Sequence, residues 1–200
     1  MKKLILSAAA VFALTFANAQ EGDSNGGFAQ GDLFATGSIG FNSDKMDDAK
    51  GSNFYFRPEV GYFLTENIAL GLGLDFGSAK NDGLDAYSDT YKTNNFNAEV
   101  FGRYYFTPES QFSLFGQLGI GFGNVKMENG AGNEMKVNTF GINAGLGANY
   151  FLTNNWALQA GWAVLGYNSA KLDAPGAEAY NSFGLNVDLS AINFGVLYKF

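Results

Sequence analysis

The stretch Tyr62-Phe63-Leu64-Thr65-Glu66-Asn67-Ile68-Ala69-Leu70-Gly71-Leu72-Gly73-Leu74-Asp75-Phe76 decides the fold. Its centre, Thr65-Glu66-Asn67, is built of residues that favour turns by bonding to their own backbone. On its far side Ile68, Leu70, Leu72, Leu74 and Phe76 alternate with Ala69, Gly71, Gly73 and Asp75. A period of two is the signature of a strand, whose successive side chains point to opposite faces. The phrase recurs as Tyr150-Phe151-Leu152-Thr153-Asn154-Asn155 followed by Trp156-Ala157-Leu158, and more loosely as Tyr104-Tyr105-Phe106-Thr107-Pro108-Glu109-Ser110. Three such turns predict six strands in hairpins. One alternating run precedes them, Leu33 to Phe41, and one follows, Gly184 to Phe200, which makes eight antiparallel strands.

Each run has one apolar face. It comprises Phe54, Phe56, Pro58, Val60, Tyr62 and Leu64 in the second run, Phe96, Ala98, Val100, Tyr104 and Phe106 in the fourth, and Trp156, Leu158, Ala160, Trp162 and Val164 in the seventh. The opposite face is rich in glycine and small polar residues, and the charges within the strands, Arg57, Glu59, Asp75, Glu99, Arg103 and Lys199, all fall on it. A water-soluble barrel turns its apolar face inward and covers the outside with Lys and Glu. Glycine and buried charge on the minority face instead suit the cramped interior of an eight-stranded barrel whose apolar face meets lipid. Aromatics beside the turns, Tyr62, Tyr104, Phe106, Tyr150 and Trp156 among them, predict an interfacial girdle. The fold class is therefore all-β: an eight-stranded antiparallel up-and-down transmembrane barrel. In the last run the apolar set is odd-numbered at Leu185, Val187 and Leu189 and even-numbered from Ile192, which leaves a β-bulge near Ala191 or a projection beyond the lipid as alternatives.

Composition agrees and excludes other classes. The chain has 200 residues with no cysteine and no histidine, so a thiolate zinc site, a cysteine nucleophile and a histidine base are unavailable. A net charge of −7 argues against nucleic acid as a partner. Lys2 and Lys3, the apolar run Leu4 to Phe16 and the small residues Ala17-Asn18-Ala19 read as a signal peptide over 1–19, cleaved before Gln20. Residues 20–30 are expected to be a short periplasmic segment and 31–200 the barrel.

At this point the sequence resembles the small outer-membrane barrels of the OmpA/OmpX type, with porin-like relatives. The ending Asn193-Phe194-Gly195-Val196-Leu197-Tyr198-Lys199-Phe200 looks like the assembly signal of that family, carried by Asn193, Gly195, Tyr198 and Phe200. The resemblance implies a cell outer-membrane location, short turns facing the periplasm, outer-membrane lipid and lipopolysaccharide around the barrel, and delivery by the outer-membrane assembly machinery. A monomer without a cofactor is expected.

Four longer connections, near 42–52, 78–94, 124–137 and 167–183, are expected to form a polar outer surface. Asn81-Asp82-Gly83 and Asp85 lack the spaced ligands and terminal glutamate of an EF-hand loop, so no metal site is assigned. Inside, a three-residue turn at 65–67 places Arg57 directly across from Asp75, with Glu59 on the same side and Arg103 and Glu99 one strand further round. Buried charge needs partners, so these five residues are expected to form an Arg–carboxylate network that closes the lumen. Phe101, Tyr105 and Phe115 point inward to help fill it. Without histidine, catalysis by a carboxylate pair such as Glu59 and Glu99 gives way to ion pairing. The expected function is a non-catalytic membrane component displaying polar loops. The alternative is a narrow porin-like channel for small or hydrophobic solutes, for which the glycines Gly71, Gly73, Gly119, Gly121, Gly123, Gly145 and Gly147 would leave room.

Overall fold

The computed structural model of the protein describes residues 26–46, 49–82, 91–185 and 193–200. The predicted signal peptide, residues 20–25, the loop residues Asp47, Asp48, Asp85 and Asp89, and Val187, Leu189, Ala191 and Ile192 lie outside the described residues. Antiparallel strands run as β1 (Leu33–Met46), β2 (Ala49–Phe63), β3 (Ile68–Asp82), β4 (Tyr91–Tyr105), β5 (Phe112–Asn129), β6 (Glu134–Phe151), β7 (Trp156–Leu172), β8 (Ala179–Leu185) and β9 (Asn193–Lys199). Consecutive strands pair from β1 to β7, and β9 closes the ring by pairing both β7 and β1. β8 and β9 are two parts of the eighth barrel strand, each lying along β7. Closure holds against Phe34–Gly37 of β1; above Gly37, β1 pairs only with β2 among the described residues.

The repeated turns explain the register. Thr65 Oγ1 accepts the N–H of Asn67 and of Ile68 at 3.3 and 3.0 Å, and Thr153 Oγ1 does the same for Asn155 and Trp156 at 3.3 and 3.0 Å. The asparagine then staples its hairpin to a neighbouring strand: Asn67 Nδ2 donates to Tyr105 O and Asn155 Nδ2 to Lys199 O, both at 2.8 Å. With the turns fixed, Phe63 pairs with Ala69 and Glu59 with Gly73, the register expected of a three-residue turn.

The apolar faces point outward. Leu70, Leu72, Val100, Leu118, Ile120, Leu146 and Leu158 are all exposed, an arrangement that water would not tolerate over a whole barrel and lipid requires. Tyr62, Tyr104, Phe106 and Tyr150 stand exposed near the short turns. Trp156 is 7% exposed, its ring 4.8 Å from that of Tyr198. A second aromatic row lies nearer the long hairpins, where Phe76 meets Phe96 at 5.3 Å, Phe122 meets Phe140 at 5.0 Å and Phe140 meets Tyr167 at 6.4 Å.

Three expectations need correction. Much of the four long connections is strand: pairing continues to Met46 with Ala49, Glu128 with Glu134, and Lys171 with Ala179. On β1 to β4 these extensions are polar on both faces, so no hydrophobic alternation marks them, and on β5 and β6 the alternation inverts, with Lys126, Glu128, Glu134 and Lys136 on the face that is apolar below. The eighth strand accordingly begins at Ala179 rather than Gly184. A face switch also occurs in β7, where the register slips between Ala144 and Gly145 as one extra β7 residue enters between Ala163 and Leu165. Beyond it the outward residues are the odd-numbered Leu165 and Tyr167. β8 follows with Phe183 and Leu185 exposed, while β9 exposes Phe194 and Val196, so the parity change in the eighth strand falls between the two segments.

Candidate functional site

The inner face is built by pairing large residues with glycines. A methyl group at Gly61 would strike the Phe34 ring, one at Gly71 the Phe101 ring and one at Gly147 the Phe115 ring. Each pair is also a register pair, Phe34 with Gly61, Phe101 with Gly71, and Phe115 with Gly147. Gly119 gives way in the same manner to the Glu99 carboxylate. Several glycines that the channel alternative counted as free space are therefore seats for neighbouring side chains.

At the short-turn end the lumen is filled. Phe28, Phe34, Phe63, Phe101, Tyr105, Phe115 and Phe151 are buried in one cluster. Phe28 sits at its centre, 4.6 Å from Phe63, 5.0 Å from Tyr105 and Phe151 and 5.8 Å from Phe34. The backbone holds it there, with Phe28 N donating to Pro108 O at 2.8 Å and Gly31 N to Phe63 O at 2.9 Å. Lys199 reaches inward to bind the same segment, Nζ donating to Gly27 O at 2.6 Å and standing 3.5 Å from Asp32.

Above this aromatic layer lie the charges, in two separate groups. Arg57 donates to Asp75 through Nε at 2.9 Å and Nη2 at 2.5 Å, and Asn95 Nδ2 donates to the other Asp75 oxygen at 3.3 Å. Arg103 donates from Nη2 to Glu59 at 2.5 Å and from Nε to Gln117 at 2.7 Å. Its guanidinium carbon is 4.5 Å from the Phe101 ring centre and 4.6 Å from that of Phe115, a cation–π sandwich that offsets desolvation. Arg103 and Glu59 stand on β4 and β2, and they meet because β3 between them shows only Ala69, Gly71 and Gly73 inward. Glu99 pairs with neither arginine among the described residues. Gln117 Nε2 donates to one of its oxygens at 3.1 Å and Asn143 Nδ2 to the other at 2.8 Å. The five charged residues thus share one lumen, as the pairs Arg57–Asp75 and Arg103–Glu59, with Gln117 bridging Arg103 to Glu99.

The space left is a cavity of about 610 Å3 whose walls include Arg57, Glu59, Asp75, Glu99 and Arg103. A second cavity of about 320 Å3 shares Asp75, Asn97, Glu99, Asn143 and Asn168 with it and extends toward the hairpins past Asn95, Asn124 and Thr139. The lumen is hollow and polar on the hairpin side of Arg103 and packed with aromatics on the other. Among the described residues no helix is long and apolar enough to cross a membrane.

The family model of the outer membrane protein beta-barrel domain matches residues 6–200. The chain belongs to that family. Among curated relatives of this outer-membrane barrel, outer membrane porin F of Pseudomonas fluorescens is 31% identical over 147 residues, 69% of this chain and 43% of that protein. A 22 kDa outer membrane protein of Rhizobium leguminosarum bv. viciae is 31% identical over 89 residues, 44% of this chain and 40% of that protein. The matched part spans about two fifths of the length of these relatives. Among solved structures, the outer membrane protein OprG of Pseudomonas aeruginosa superposes with a TM-score of 0.52 at 16% identity over 89% of this chain and 99% of that one. Neisserial surface protein A gives 0.50 at 19% identity over 90% and 100%. These likenesses show the same fold, and the family makes the protein an integral one of the outer membrane.

For an outer-membrane barrel, parity alone puts Arg57, Glu59, Asp75, Glu99 and Arg103 inside. Two features of the lumen escape that reasoning. Phe28 belongs to no alternating run, and its only signal is an isolated aromatic after Gly26-Gly27. The amides Asn95, Asn97, Gln117, Asn143 and Gln159 carry no charge to draw attention, although their inward parity is as plain as that of Glu99.

Proposed function

We propose that this protein is a non-catalytic, closed barrel: a membrane component that carries polar hairpins on the outer surface over a lumen shut at its periplasmic end. The observation that carries the reading is the buried layer of Phe28, Phe34, Phe63, Tyr105 and Phe151, which packs the lumen on the short-turn side of Arg103. Short turns of such barrels face the periplasm, so the polar cavity opens outward. Residues 1–19 act as a cleaved signal peptide, and the chain from Gln20 contributes the segment that enters the barrel at Phe28. Asn193, Gly195, Tyr198 and Phe200 form the signal read by the assembly machinery. The extended polar hairpins meet lipopolysaccharide, and the barrel works as a monomer.

A second reading, a narrow channel for small or hydrophobic solutes, is favoured by one observation. The larger cavity reaches Leu165 of β7 and Phe183 and Phe194 of the eighth strand, apolar residues that are exposed on the outer face, and one relative is named a porin. Conductance in planar bilayers separates the two. Refolded protein spanning 20–200, checked for the heat-dependent gel shift of a folded barrel, is expected to insert without discrete current steps. Steady steps that change when Arg57 or Asp75 is neutralised would establish the channel instead.

A further inference from the structure

We propose that the lumenal cavity is a binding site for a small hydrogen-bonding organic cation, an ammonium or guanidinium head, held by Glu99. The first ground is charge. Three carboxylates, Glu59, Asp75 and Glu99, and two guanidiniums, Arg57 and Arg103, line one cavity. Both arginines are committed, to Asp75 and to Glu59. Glu99 remains with only amide donors, so a partly enclosed negative charge is left to be balanced by something that enters.

The second ground is how Glu99 is held. Its oxygens accept one amide N–H each, from Gln117 and Asn143. A carboxylate has about four lone-pair sites, so room for further donors remains on both oxygens. Gly119 makes the pose possible, since a methyl group there would come within 2.6 Å of Glu99 Oε1. In the same cavity wall, Gln159 Oε1 is buried and has no hydrogen-bond partner among the described residues. The vacant lone pairs of the Glu99 carboxylate, in the wall of this chamber, suit a ligand that carries several N–H donors on a positive charge.

The third ground is size and ligand type. A volume of about 610 Å3 falls within the range of roughly 300–1,000 Å3 of small-molecule sites and is far larger than a bare ion needs. No group of three or more His, Cys, Asp or Glu able to hold a metal occurs among the described residues. Dispersed single acceptors suit directional N–H bonds better than the shell of six to eight oxygens that a calcium ion gathers.

The site stands whether the barrel conducts or is closed, and binding in detergent micelles tests it without a current. Side-chain amide NMR signals of Gln117 and Asn143 would be followed as ethylammonium chloride is added, with potassium chloride and neutral acetamide in parallel. Saturable shifts with ethylammonium are expected, with potassium and acetamide at least tenfold weaker. Glu99→Gln, which keeps shape and removes the charge, should weaken ethylammonium binding at least tenfold while retaining the folded gel shift. Gly119→Ala, which keeps the charge and displaces the carboxylate, should weaken it several-fold. Absence of saturation, unchanged binding in E99Q, or equal response to potassium would each overturn the proposal.

Discussion

Arg103 and Arg57 look alike in the sequence and differ in energetic weight. The Arg103 side chain is 1% exposed and its partner Glu59 14%, whereas Arg57 is 43% exposed and Asp75 21%. Removing one member of a buried pair leaves the other charged and unpaired, at a cost of about 3–5 kcal/mol. A half-exposed pair is screened by water and contributes about 0–1 kcal/mol. Arg103→Ala should therefore lower stability to urea unfolding in micelles several times more than Arg57→Ala. Equal losses would mean that the aromatic sandwich around Arg103 contributes nothing beyond a surface contact. Parity places both arginines inside, and the 65–67 turn alone aligns Arg57 with Asp75. The Arg103–Glu59 pair is invisible to such reasoning because it skips a strand. It becomes legible only once the inward faces of Ala69, Gly71 and Gly73 are seen as a shallow trough across which a long side chain can reach.

Among the elements, the segment 26–32 does the most for its size. It makes no strand, yet it delivers Phe28 into a ring of four aromatic side chains and is tied to the barrel at the end of β2 by Phe63 and at the end of β9 by Lys199. Phe28→Ala empties a site that the surrounding rings, seated on β-strands, cannot collapse to fill, so a loss of about 3–5 kcal/mol is expected. Urea unfolding of the variant checks it, and a loss below about 1 kcal/mol would show that the segment lies loosely over the barrel mouth. The strands themselves were legible wherever a turn phrase fixed the register and alternation ran between apolar and small residues, as from Ile68 to Phe76. They were not legible above the belt, where residues such as Ser43, Asp44, Lys80, Asn81, Lys92 and Thr93 are polar on both faces, and where on β5 and β6 the alternation inverts, Lys126, Glu128, Glu134 and Lys136 standing on the face that is apolar below. The β7 bulge was hidden for the opposite reason. Its neighbourhood, Trp162-Ala163-Val164-Leu165, is apolar throughout, and a one-residue slip leaves no trace in a run without alternation.

At the scale of the whole molecule, the two aromatic rows measure the membrane that the barrel fits. On β4 the belt runs from Phe96 to Tyr104 and on β6 from Phe140 to Tyr150. At about 3.4 Å per residue and a strand tilt of roughly 40°, these spans correspond to a height of about 20–26 Å. That is close to the apolar band of about 25 Å of outer-membrane barrels and short of the ~30 Å hydrocarbon core of a typical bilayer. The belt has a centre and edges, and the cost of charge should map them. Leu118 is exposed near the middle of β5, between Phe112 and Phe122, whereas Leu152 is exposed at the short turn after β6. Lysine at the midplane costs about 2–4 kcal/mol and near the interface about 0–1 kcal/mol. Leu118→Lys should accordingly destabilise the barrel in vesicles far more than Leu152→Lys, when both are measured by urea titration in lipid. In micelles, whose thickness adapts to the protein, the difference should shrink. Equal costs in vesicles would place the bilayer elsewhere on the barrel, and with it the assignment of the short turns to the interface would fail.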